Sequence, residues 1–194
     1  GAVVKHLGSL GFPRVHNRNE DFYAAVAAGT TPKYHALVTN PPYSEAHVER
    51  LLDFLGARRK PWLLLVPNYV YMKPGYQRLA GALRAPPVYL VPPKRYCYWI
   101  PKRLGPKKHS HSGPLGVRTS PFVSFWHLHL GDELQAPFIE WWARTQEGKH
   151  RCTLAPSPRH LPMNAMYSGD PLRRRLRDRA RSEKRRQGKR GRRS

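Results

Sequence analysis

The segment HALVTNPPYSEAHVERLLDFL (residues 35–55) joins an apolar run to an amphipathic one through Asn40-Pro41-Pro42-Tyr43. Two consecutive prolines remove two backbone donors and fix two φ angles. Pro41 also pushes Asn40 towards an extended conformation. A strand is therefore expected to stop at Thr39. Ser44 is placed to cap a helix, with Glu45 in its first turn. Val48, Leu51, Leu52 and Leu55 then recur at i, i+3, i+4 and i+7, which is one face of that helix. Gly56 and the basic ARRK (57–60) supply its C-terminal signal.

Working outward, PWLLLVPN (61–68) is a short continuous apolar run with proline near both ends, the pattern of a buried parallel strand. Upstream, Val3, Leu7 and Leu10 share a helical face, and Gly11 is positioned as the C′ glycine. RVHNRN (14–19) reads as a short strand, and EDFYAAVAAGTTP (20–32) as a short helix or loop. Downstream, a weaker helix over 76–83 precedes the strand candidate PVYLVP (87–92). RYCYWIP (95–101) and SPFVSFWHLHL (120–130) read as the arms of a long hairpin, and 136–145 as one more helix. The expected class is α/β: a mostly parallel sheet that ends in an antiparallel β-hairpin. Residues 1–150 form this domain, 151–172 an extended surface segment, and 173–194 a basic tail that is disordered without a partner.

The charge balance restricts the partner. Against 12 Asp+Glu the 194 residues carry 35 Lys+Arg, a net charge of +23. Residues 173–194 hold 13 basic and 2 acidic residues, which is +11, and the rest of the chain still carries +12. A basic body as well as a basic tail points to a polyanion. Cys97 and Cys152 are too few for a disulfide framework or a Cys-rich zinc site, so a reducing compartment is the default. No apolar run is long enough for a membrane span. The sequence says nothing of oligomeric state.

In an open α/β sheet, ligands sit beyond the carboxyl ends of strands, which is where Asn40-Pro41-Pro42-Tyr43 lies. This stretch resembles the catalytic motif of class I, Rossmann-like amino-group methyltransferases that use S-adenosylmethionine, the family that includes N6-adenine methyltransferases. The resemblance implies that Asn40 supplies an amide oxygen and Pro41 a main-chain carbonyl, each accepting one hydrogen of an exocyclic amine. Pro42 keeps the carbonyl fixed, and Tyr43 offers a flat face for the target base. In the same family an acidic residue followed by an aromatic contacts the cofactor adenosine. The resemblance places that role on Asp21-Phe22, with Glu20 as the alternative acid. Gly1 corresponds to the last residue of the glycine-bearing cofactor loop, so an N-terminally incomplete chain is expected. Resemblance extends over residues 1–70 and reaches the hairpin only as architecture.

Nucleic acid is the expected partner, RNA slightly ahead of DNA, with backbone contacts from Lys107, Lys108, Arg173, Arg174, Arg175, Lys184, Arg185 and Arg186. The tail also reads as a nuclear or nucleolar address; otherwise the chain is cytoplasmic or organellar. Two other readings stay open. The same four residues serve enzymes that methylate a glutamine amide in proteins, and the fold also persists in non-catalytic RNA-binding or ribosome-assembly factors. KKHSHSG (107–113) lacks the cysteine or carboxylate of a metal clip, so no metal is expected. His127 and His129 share one face of a half-exposed strand, Trp126, Trp141 and Trp142 read as core, and Phe122 and Phe125 as candidate base contacts. Asp21 and Phe22 have a plainer reading as a helix cap and a packing residue.

Overall fold

A computed structural model describes residues 2–96, 122–145 and 152–190. The chain divides into two compact units, Gly1–His35 and Ala36–Ser194, each described by itself. Arm residues 97–101, Gly1, and the loop bearing Lys107 and Lys108 lie outside the described residues.

In the first unit, α1 spans Ala2–Ser9 and α2 spans Phe22–Ala27. Gly11, at φ +88°, closes α1: its N–H donates to Gly8 O at 3.0 Å, and Phe12 N–H donates to Leu7 O at 2.9 Å. This is the glycine C-cap expected from the sequence. Gly29, at φ +69°, ends α2 in the same way. Residues 14–19 are irregular rather than a strand. A strand needs a ladder partner, and the described part of this unit contains none.

The second unit is built on five strands in the order β1-β2-β4-β3-β5. They are β1 (Leu37–Thr39), β2 (Trp62–Pro67), β3 (Val88–Val91), β4 (Ser124–His129) and β5 (Thr153–Ala155). Only β1 and β2 pair in parallel. The sheet is mixed, which corrects the mostly parallel sheet expected. The reason is the insertion of β4 between β2 and β3, so that two strands running the same way each meet an antiparallel neighbour. Of the expected hairpin, the arm at 120–130 contains β4, which has ladder partners on both edges, while 97–101 of the other arm lie outside the described residues.

Helix α3 (Glu45–Arg58) buries Val48, Leu51, Leu52 and Leu55, the face read from their spacing. Ser44 is its N-cap residue, yet the hydroxyl pairs with the His47 ring instead of a backbone N–H. The helix also runs past Gly56, and the left-handed C-cap is Arg59 at φ 50°. Gly56 instead faces α4 (Pro74–Ala82): a Cβ there would touch Leu79 at 3.7 Å. Nearer the start of α4, a Cβ on Gly75 would overlap the Glu49 carboxylate, so a larger residue there would displace the Glu49 side chain.

The core holds an unusual polar residue. His127 is 0% exposed, stacks on Phe125 at 4.9 Å, and meets the edges of Tyr89 at 4.9 Å and Tyr76 at 5.2 Å. Neither ring nitrogen has a hydrogen-bond partner. Burial holds its pKa down at about 3, so the ring is neutral. His129 is buried too, with Nδ1 3.1 Å from Ala85 O. The half-exposed strand expected for these histidines is thus buried except at Trp126, which is half-buried where a core position was expected. Trp141 and Trp142 depart the other way. They lie on α5 (Gln135–Thr145), where Gln135 is the only residue described as buried, and Trp141 is 47% exposed.

The region expected as a surface segment is integrated into the fold. β5 pairs with β3, and Ala155, Leu161, Ala165, Met166 and Asp170 are buried. The basic tail follows as α6 (Pro171–Arg190), where disorder was expected. Its start is fixed from the core. Tyr71 donates its hydroxyl to Asp170 Oδ2 at 2.8 Å and accepts from Tyr167 N–H at 2.9 Å. Asp170 Oδ1 takes the Leu172 N–H at 2.8 Å, capping α6. Nearby, Asn68 Nδ2 donates to Ala165 O at 2.9 Å. Burial, and then the Asp170 carboxylate, keep the Tyr71 phenol protonated well above its usual range. Tyr71→Phe removes the partner of Asp170 Oδ2 and of Tyr167 N–H and should cost about 2–3 kcal/mol of stability. Urea denaturation checks it; an unchanged midpoint would remove Tyr71 as the anchor.

Candidate functional site

The carboxyl ends of β1 and β2 face the same edge of the sheet, as parallel neighbours must. After β1, Asn40 is exposed, Pro41 is buried, and Tyr43 is half-buried. The Tyr43 hydroxyl donates to Asn40 Oδ1 at 2.6 Å, a strong hydrogen bond across three residues of chain. The bond occupies the asparagine oxygen in the free chain, and the two prolines restrict the backbone around it.

After β2, a tight turn at Asn68–Met72 brings Tyr69 beside this loop, its hydroxyl 3.4 Å from Tyr43 O. Tyr167, held by Tyr71, supplies another wall and meets Tyr69 edge-on at 6.2 Å. Together Tyr43, Tyr69, Met72, Lys73, Pro74 and Tyr167 line an open cleft of about 430 Å³. Phe122, 40% exposed, packs against Tyr69 at 5.7 Å and extends the aromatic surface. Lys73 lies 3.7 Å from Glu49, a partly exposed ion pair at the rim. Flat aromatic faces with a peripheral cation suit a planar heterocycle; Asn40 does not line the cleft and joins it through its bond to Tyr43, which does.

Other residues singled out from the sequence fall as follows. Asp21 is the N-cap of α2, its Oδ1 accepting from Tyr23 N–H at 2.9 Å and Ala24 N–H at 3.0 Å. Phe22 is half-buried and lies edge-on to Tyr23, and Glu20 pairs with His16. These three belong to the first unit, whereas Asn40, Pro41, Pro42 and Tyr43 belong to the second. Phe125 is fully buried and cannot touch a ligand, while Phe122 can. Arg173, Arg174, Arg175, Lys184, Arg185 and Arg186 all lie on α6. Among the described residues no cluster of His, Cys, Asp or Glu could hold a metal ion, and no helix is long and apolar enough to cross a membrane.

Tyr69 and Tyr167 were missed from the sequence. Tyr69 was within reach: the rule that ligands lie beyond the carboxyl ends of strands applies to β2 as it does to β1. Tyr167 reaches the cleft only through packing across about a hundred residues of chain, and no local pattern signals that. Among known proteins, no family model, no curated protein and no solved structure matches this chain.

Proposed function

We propose that this chain is a methyltransferase domain of class I, Rossmann-like type that moves a methyl group from S-adenosylmethionine to an exocyclic amino group, adenine N6 of RNA or DNA. The observation that carries the reading is the Asn40 amide oxygen after the carboxyl end of β1, hydrogen-bonded to Tyr43, whose ring lines an aromatic cleft. The mixed sheet is compatible with that fold.

An exocyclic amine is a weak nucleophile because its lone pair is delocalised into the ring. Asn40 Oδ1 accepts one amino hydrogen, in place of the Tyr43 hydroxyl that it accepts in the free chain. The Pro41 carbonyl accepts the other. Both acceptors favour a localised lone pair and fix its direction before reaction. Tyr43 and Tyr69 stack the ring and displace water from it. The donor, when bound, supplies an electrophilic methyl group on a sulfonium sulfur. On the protein, Asp21 offers an exposed carboxylate already oriented by its two backbone donors, and Phe22 a half-buried ring beside it. By the resemblance, that pair would hold the edge and face of the donor's adenosine, with Glu20 as the alternative acid.

The test is transfer of a labelled methyl group to RNA, DNA and protein offered side by side. Label in nucleic acid is expected. Label confined to protein would replace the reading with a glutamine methyltransferase. No label anywhere, with RNA binding intact, would make the chain a non-catalytic binding protein.

A further inference from the structure

We infer that the cleft and helix α6 form one continuous track for single-stranded nucleic acid, in which α6 carries the phosphate backbone and Tyr167, with Tyr69, holds an unstacked base. The inference uses the same cleft as the methyl-transfer reading but concerns binding alone.

Three observations lead to it. First, α6 begins four residues after Tyr167, and both are fixed to the same hydroxyl: Tyr71 accepts from Tyr167 N–H and donates to the Asp170 cap. The cleft wall and the root of the basic helix therefore move as one body. Second, Arg174, Arg177 and Arg181 fall at i, i+3 and i+7 on α6, a single face, and all three are exposed. Of the two acids among the described side chains of α6, Asp178 lies 3.9 Å from Arg177, one of these three, and Glu183 pairs with Arg179 at 3.1 Å. At 1.5 Å of rise per residue the helix is about 30 Å long, enough to follow several phosphates. Third, the rings of Tyr43, Tyr69 and Tyr167 are only half-buried where they line the cleft, and Phe122 beside Tyr69 is exposed.

These features select among polyanions. A paired base keeps both faces inside its own stack, so a duplex satisfies the arginines but not the rings. An acidic peptide offers charge without flat faces. A single strand satisfies both, through salt-sensitive phosphate contacts and base stacking.

The test uses the full chain without any methyl donor, so failure of transfer and failure of this inference are separable. The probe is a short labelled single strand with one 2-aminopurine, whose fluorescence is quenched on stacking. Binding to the wild type should quench it, whereas adding the protein to the same strand in a duplex, where base stacking has already quenched the probe, should change nothing further. Tyr167→Ala should abolish the quench and weaken binding about 5- to 100-fold, and Tyr167→Phe should restore both. The ring-retaining variant separates stacking from a folding defect. Replacing Arg174, Arg177 and Arg181 together by alanine should lower the slope of log affinity against log salt by about 2 while leaving the quench at saturation intact. Quenching retained in Tyr167→Ala, equal affinity for the duplex, or equal competition by poly-glutamate would overturn the inference.

Discussion

Asn40→Ala should lower methyl transfer by about 10²–10³-fold while leaving nucleic-acid affinity nearly unchanged. The magnitude is that of removing one preorganised hydrogen-bonding group from a polar transition state. Binding survives because the stacking rings and the basic helix are untouched, so the loss should appear in kcat and not in KM. The variant also removes the acceptor of the Tyr43 hydroxyl, and a control is needed for that. Tyr43→Phe keeps the ring and deletes only the competing donor, and it should retain transfer. Steady-state kinetics on the two variants separate the roles. Transfer retained in Asn40→Ala would remove the asparagine from the chemistry.

The second large effect concerns acid. His127 is neutral in the fold, with a pKa held down at about 3 by burial. In the unfolded chain it titrates near 6.5, the ordinary histidine value. Above about pH 6.5 both states hold the ring neutral, and this group gives no pH dependence. As pH falls from 6.5 towards 3 only the unfolded state takes up the proton, so stability drops by up to 1.4 kcal/mol per pH unit. The full loss is on the order of 4–5 kcal/mol. The surroundings offer no relief: β2 contributes Leu64 opposite, β3 contributes Tyr89, α4 contributes Tyr76, and β4 contributes Phe125. Of these, Tyr89 and Tyr76 titrate only at alkaline pH, both raised by burial, Tyr89 to about 12. His129 is lowered by burial as well and adds to the trend. His127→Phe removes two buried unpaired nitrogens and should be at least as stable at neutral pH. Its advantage should widen steadily between pH 6 and pH 4. Denaturant midpoints across that range decide it, and parallel curves for both proteins would exclude His127 as the source.

How much of this was legible depended on the reach of each signal. The apolar face of α3, the glycine that ends α1 and the buried run in β2 are set by neighbours within a few residues, and their spacing shows directly. The place of β4 is not local. Its insertion between β2 and β3 follows from long-range pairing, and it alone turned His127 and His129 from half-exposed into core. Trp141 and Trp142 misled because size suggests burial, whereas on α5 Trp141 is exposed and Trp142 only half-buried. The start of α6 did carry a readable sign: Asp170-Pro171 is a cap followed by a first-turn proline. Charge density outweighed it in the sequence reading. At the site, Asn40 to Tyr43 stood out because prolines constrain their immediate neighbours. Tyr167 could not, since Tyr71 and Asp170 bring it to the cleft from the far end of the chain.

The most direct measurement compares two otherwise identical single-stranded oligonucleotides, one with adenine at the target position and one with purine, which lacks only the exocyclic amino group. Both are offered with labelled S-adenosylmethionine, and the products are digested to nucleosides. Label should appear as N6-methyladenine from the first strand and not at all from the second. Equal labelling of both strands, or label at a ring nitrogen or the sugar, would contradict an amine held by Asn40 and Pro41.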